Sequence, residues 1–279
     1  MTKFIDKLGN DVSYLKSKKL FMLDMDGTLY EENRLFEGTL DFLRQVRQNG
    51  GRYVFITNNS SKSVEDYVKK LSDMGIDAEY DDFFTSAQAT AEYIKNNHAG
   101  KRVFCMGTRS LVSELKKDGI DVTEEVDSEA SVVLVGYDTE LTYEKLRRTS
   151  EMLTKYDVCY IATNPDRACP VSFGFVPDCA AICEMLFMAT GKRPLYIGKP
   201  APDMADFVME KYSCSKQDSV IVGDRLYTDI ATGVNAGITS VCVLSGEATM
   251  EDITNGDVKP SVVLDSVKDI YNILQGELL

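Results

Sequence analysis

The sequence of 279 residues holds a single histidine, His98. Ser–His and Cys–His catalysis need an imidazole base beside the nucleophile. One histidine, in a stretch that reads as a surface helix, all but excludes both. Cysteines are scattered as Cys105, Cys159, Cys169, Cys179, Cys183, Cys214 and Cys242, an odd number with no CxxC spacing. That pattern argues against a disulfide framework and fits reduced thiols in a cytoplasmic chain. Cys179 and Cys183 stand four apart on an expected helix, where two core-facing residues are a simpler reading than a shared metal. Positive charge is scarce, with 31 Lys and Arg against 44 Asp and Glu and a formal net charge of −13. Without a basic stripe a nucleic acid is not an expected partner. The same negative field repels anionic substrates, so a phosphate ester would need a local cation, and a bound metal is the obvious source. No apolar run approaches the roughly 18 residues of a membrane span. The leading Met-Thr-Lys-Phe-Ile-Asp-Lys has no signal-peptide character. A cytoplasmic protein without a membrane partner is therefore expected.

What is present is the balance of a globular chain, 44% hydrophobic and 27% charged. The length allows one large domain or two ordinary ones. Short apolar runs alternate with helical patterns almost throughout. Strands are expected over 19–25, 52–56, 102–106, 132–135, 158–162, 195–197, 219–222 and 240–244, with a short one near Val262. Helices are expected over 37–48, 63–74, 86–97, 110–117, 143–155, 179–190, 203–212, 227–235 and 266–275. This alternation makes βαβ units and a parallel sheet. The strands outnumber what one sheet usually holds, so two α/β units are expected. No Pro/Gly-rich linker marks a junction, and an inserted second unit explains that.

Four polar clusters each follow an expected strand. Asp24 and Asp26 follow Leu20-Phe21-Met22-Leu23, and Thr57, Asn58 and Asn59 follow Tyr53-Val54-Phe55-Ile56. Lys199 follows Leu195-Tyr196-Ile197-Gly198, and Asp224 and Asp229 follow Val220-Ile221-Val222-Gly223. Ligands of open parallel sheets bind outside the carboxyl ends of the strands. If these strands share one sheet, the clusters converge on one crevice.

Close carboxylates cannot all stay ionised without a cation. Hard oxygen donors select magnesium over zinc. With no imidazole base, a carboxylate nucleophile remains. This reading casts Asp24 as the group that attacks phosphorus and forms an aspartyl-phosphate. Asp26 protonates the leaving oxygen and then activates water. Magnesium neutralises the transferring oxygens, with Asp224 as a second side-chain ligand. Lys199 and Thr57 hold the phosphoryl oxygens. Asn58 donates to the phosphate or the nucleophile loop, and Asp229 orients Lys199 or a metal-bound water.

In order and spacing the chain resembles the haloacid dehalogenase (HAD) superfamily. Asp24-Met25-Asp26-Gly27-Thr28 is similar to its first motif, and Ile56-Thr57-Asn58-Asn59-Ser60 to its second. Gly198-Lys199-Pro200 is similar to the third, and Gly223-Asp224-Arg225-Leu226-Tyr227-Thr228-Asp229 to the fourth. Ala162-Thr163-Asn164-Pro165-Asp166 and Val243-Leu244-Ser245-Gly246 narrow the resemblance to the NagD/4-nitrophenylphosphatase branch. The resemblance implies an α/β fold: a Rossmann-like core over 1–82 and 185–279, with a smaller α/β cap inserted over 83–184. It implies that the backbone carbonyl of Asp26 also binds magnesium, and that the cap closes the site and reads the leaving group. An aspartate at position 26 goes with phosphatases and mutases rather than dehalogenases. The expected substrates are small phosphomonoesters such as sugar phosphates or nucleoside monophosphates, with 4-nitrophenyl phosphate as an in vitro substrate. A homodimer through the cap is a family-level expectation.

Plainer readings compete. An EF-hand also begins D-x-D, but it demands Gly at its sixth position and Glu at its twelfth, where Leu29 and Leu35 stand. Neither Gly191-Lys192 nor Gly198-Lys199 has P-loop spacing. Asp224 and Asp229 could serve as first-turn helix carboxylates. Arg167, Phe173 and Phe175 could face substrate or simply pack. Two other functions stand beside hydrolysis: phosphotransfer to another hydroxyl, as in a mutase, and phospho-acceptance in a signalling module. Receiver domains of the latter kind are much shorter and carry no inserted domain.

Overall fold

The apolar run Leu20–Leu23 forms a strand whose four residues are all buried. It lies between Ser219–Gly223 and Arg52–Thr57, parallel to both. Thr239–Val243 and Val262–Leu264 extend the sheet on one side, and Phe83–Thr85 closes the other, giving six strands. Helices must cover both faces of such a sheet. Thr39–Gln48 buries Thr39, Phe42, Leu43 and Val46, one face at helical spacing. Phe42 meets Phe21 edge-on at 5.8 Å. Val267–Gln275 packs beside that helix and buries Val267, Ile270, Ile273 and Leu274.

This computed structural model describes residues 3–171 and 173–276. The chain divides into two compact units. The first comprises Met1–Thr57, Val68–Phe84 and Lys199–Leu279, and the second Asn58–Tyr67 and Thr85–Gly198. The second unit has its own five-stranded parallel sheet, ordered Leu195–Tyr196, Cys159–Ala162, Ala130–Val135, Arg102–Met106 and Val122–Thr123. Along Ala130–Val135 the side chains alternate between two cores. Val133 and Val135 pack with Leu153, Ile182 and Leu186, while Val132 and Leu134 pack with Ala91, Leu111 and Leu115. Threonines open three of its helices: Thr85, Thr108 and Thr142 accept from the backbone of Gln88, Leu111 and Lys145.

Two expectations change. The strand ahead of Lys199 belongs to the second unit's sheet, because Leu195 and Tyr196 pair with Ile161 and Ala162. The boundary expected at 185 falls inside the helix Cys179–Thr190, which packs whole on the second unit's core, and that unit runs on to Gly198. Among the described residues no helix is long and apolar enough to cross a membrane. None of the seven cysteines forms a disulfide.

Candidate active site

Parallel pairing sets the site's geometry. Leu23 is level with Val222 on one side and Phe55 on the other. Asp24, Asp224 and Thr57 therefore leave the sheet at one edge, beyond or at the carboxyl ends of three adjacent strands. The Asp24 N–H donates to the Val222 carbonyl at 2.9 Å, which fixes the first turn of the loop that carries Asp24 and Asp26. Thr57 is the last residue of its strand and is buried.

Lys199 is 3% exposed, and its ammonium donates to Asp24 Oδ1 and Asp229 Oδ1, both at 2.6 Å. A third contact runs to the Ile56 carbonyl at 3.4 Å. Asp229 is delivered by a wide π-turn, Leu226–Ile230, where a plain helix was expected. Its Oδ2 accepts from the Arg225 N–H at 3.3 Å. A side chain at Gly223 would leave no room for this, since a Cβ there would sit 2.2 Å from that of Asp229.

Asp24, Asp224 and Asp229 each place a carboxylate oxygen within 4.8 Å of the others. Burial pushes the Asp24 carboxyl up to about 8. The nearby Asp229 and Asp224 push the same way, against the pull of Lys199. Burial, reinforced by Asp229, pushes Asp224 up to about 6. Burial alone would lower Lys199, but Asp229 and Asp24 outweigh it and hold the ammonium above the ordinary lysine range. A cluster that strains to keep its protons is short of positive charge. An all-oxygen, carboxylate-rich donor set of this kind suits a hard divalent cation such as magnesium or calcium. Since Asp229 already turns both oxygens toward Lys199 and Arg225, Asp24 and Asp224 are the carboxylates that could hold one.

Asp26 lies apart from this cluster, with its side chain at the surface of the first unit. Partial enclosure raises its carboxyl above the usual range, while Lys70 and Arg225 pull it down. Asn58 begins the second unit, and its side-chain amide donates to Asp166 at 3.1 Å. Its carbonyl accepts from Ser86 Oγ at 2.6 Å and from Asn164 at 2.7 Å. Sequence reasoning gave no role to Arg225 or to the loop of Ser245, Gly246 and Glu247, both of which touch the cluster. The available signal was position, because each follows a strand end.

Residues 21–121 match the haloacid dehalogenase-like hydrolase family, and residues 196–270 match the HAD-hydrolase-like family. An acid sugar phosphatase of Staphylococcus saprophyticus is 33% identical over 261 residues, which is 94% of this chain and 100% of the relative. Among solved structures, the 4-nitrophenylphosphatase of Thermotoga maritima superposes with a TM-score of 0.89 and 40% identity, covering 94% of this chain and 99% of its own. A Mycobacterium tuberculosis glycerol phosphate phosphatase, solved in complex with magnesium, superposes with a TM-score of 0.85 and 25% identity, covering 92% of this chain and 77% of its own.

Proposed function

Because the chain belongs to the haloacid dehalogenase-like hydrolases, as a phosphatase of the NagD/4-nitrophenylphosphatase branch, we propose that it cleaves small phosphomonoesters through a phosphorylated Asp24, with magnesium as cofactor. One observation carries the reading: Lys199 is buried between Asp24 and Asp229, beside Asp224, at the carboxyl edge of the sheet.

Lys199 fixes one oxygen of Asp24 and so orients the carboxylate for attack. An Asp24 oxygen bonds to phosphorus as the ester P–O bond breaks, and the leaving oxygen takes the proton of Asp26. Partial enclosure raises the Asp26 carboxyl above the usual range, the direction that favours an acid's protonated form. Asp26, now ionised, takes a proton from a water molecule whose oxygen attacks the phosphorus. Phosphate departs, Asp24 returns as a carboxylate, and Asp26 is protonated again. Lys199 and the Thr57 hydroxyl face the phosphoryl oxygens, and Asn58 supports them. Asp229 holds Lys199 in place. Asp24 and Asp224 would hold magnesium, with the Asp26 carbonyl as a further ligand, and the ion when bound neutralises the transferring oxygens. The second unit serves as the cap that selects the leaving group. Sugar phosphates lead the expected substrates, in keeping with the acid sugar phosphatase relative. Cysteines that form no disulfide fit a cytoplasmic setting.

The test is Asp24→Asn, assayed on 4-nitrophenyl phosphate with magnesium. The expected result is a folded protein by circular dichroism and no phosphate release. Release at the wild-type rate would overturn the mechanism.

A further inference from the structure

Asp224 is held by backbone and small residues of two segments. Gly246 presses on it from the loop that follows the strand Thr239–Val243; a Cβ there would lie 2.1 Å from Asp224 Oδ2. Gly27 presses from the nucleophile loop at φ +81°, where a Cβ would lie 2.3 Å from the same oxygen. The Glu247 N–H donates to Asp224 Oδ2 at 2.9 Å, and the Ala248 N–H donates to the Asp224 carbonyl at 3.0 Å.

The same loop is tied down at both ends. Ser245 Oγ donates to the Gly27 carbonyl at 2.8 Å, joining it to the segment that carries Asp24 and Asp26. The Glu247 carboxylate pairs with Arg225 Nε at 3.0 Å and faces the Tyr227 hydroxyl at 3.4 Å. One short strap thus bonds to the nucleophile loop, to the Asp224 carboxylate and to the segment after Asp224.

We propose that residues 245–248 are a positioning strap for the cation site, with Ser245 setting the spacing between the nucleophile loop and Asp224. The inference rests on the reading that Asp24 and Asp224 hold magnesium. Outer groups that orient metal ligands typically change affinity 10–100-fold when removed. A strap acting through ligand geometry should therefore shift magnesium affinity while leaving the fold unchanged.

The experiment is calorimetric titration of magnesium chloride into metal-free wild type, Asp224→Asn, Ser245→Ala and Ser245→Thr, with melting temperatures measured alongside. Wild type should bind, and Asp224→Asn should not. Ser245→Ala should bind about tenfold more weakly at an unchanged metal-free melting temperature. Ser245→Thr, which keeps the hydroxyl, should restore most of the affinity. In activity assays, half-saturating magnesium should rise for Ser245→Ala, with kcat at saturation retained. Absence of binding by wild type would overturn the underlying reading, and the inference with it. Binding lost in Asp224→Asn but unchanged in Ser245→Ala would overturn the strap alone. Equal weakness of the Ala and Thr variants would overturn the role of the hydroxyl. Gly246→Ala should weaken magnesium more than Ser245→Ala, and wild-type affinity there would also refute the strap.

Discussion

The raised carboxyls of Asp24 and Asp224 predict competition between protons and magnesium. A bound cation requires ionised ligands, so binding must expel any proton the metal-free site holds. Asp24 titrates at about 8 in the metal-free fold because it is buried beside two other carboxylates. Each pH unit below that value costs about 1.4 kcal/mol, or tenfold in affinity. Magnesium should then bind roughly tenfold more weakly at pH 7 than above pH 9, and roughly a hundredfold more weakly at pH 6. Below pH 6 the slope should steepen as Asp224, at about 6, also takes a proton. Titration calorimetry in buffers of different ionisation heat measures both quantities. About one proton should leave per ion at pH 7, and almost none above pH 9. An affinity constant within threefold from pH 6 to 9, with no proton release, would show both carboxylates ionised in the free site and refute the reasoning.

The metal-free protein should lose stability as pH rises from about 4 to 8. Asp24 titrates at about 8 when folded but near 3.8 when unfolded, so the folded state holds the extra proton in that window. Urea midpoints in EDTA at pH 5 and pH 8 test this, and a higher midpoint at pH 8 would contradict it. Asp224→Asn should weaken magnesium binding far more than Asp229→Asn, whose main effect should be a lower kcat through a misplaced Lys199; the reverse ranking in calorimetry would reassign the ligands. In the second unit, Asp138 is fully buried and pairs with Lys145 at 2.8 Å. Asp138→Ala leaves that ammonium on the Gly107 carbonyl at 2.7 Å without a counter-charge and should cost about 2–4 kcal/mol by chemical denaturation; a loss below about 1 kcal/mol would mean water takes over the role.

The central strand and the acidic residues beyond it were legible because a continuous apolar run followed by Asp24-Met25-Asp26 is a local pattern. The same holds for Asp224 after Val220-Ile221-Val222-Gly223. The sheet that carries the strand before Lys199 was not legible. A two-residue strand is assigned by its partner, here Ile161 and Ala162, and pairing leaves no mark in the strand's own sequence. The π-turn at Leu226–Ile230 was read as helix because one wide turn barely alters the periodicity, although it redirects Asp229 toward Lys199. The ribbon of Ala168–Val171 against Gly174–Pro177 is absent from the strands expected from sequence. Its strands pair only with each other, and prolines are tolerated at such edges. Within residues 245–248, Glu247 and Ala248 reach Asp224 through main-chain N–H groups, which no residue type announces.

Those main-chain contacts also bear on the proposed cation site. Gly27, Gly223 and Gly246 each bring backbone directly against a carboxylate of the cluster, closer than any side chain would permit. Backbone packed this tightly displaces the water that would otherwise screen Asp24, Asp224 and Asp229 from one another. Desolvation then outweighs the attraction of Lys199 and drives the Asp24 carboxyl up rather than down. Lys199 is shared between Asp24 and Asp229, and the nearby Arg225 is paired with Glu247, so the two cations leave the three carboxylates short of positive charge. The remaining charge falls on Asp24 and Asp224, which the parallel pairing of their strands brings to the same edge of the sheet. On the proposed reading, the sheet sets where a cation would bind, and the close approach of the glycines sets how strongly the carboxylates would favour one.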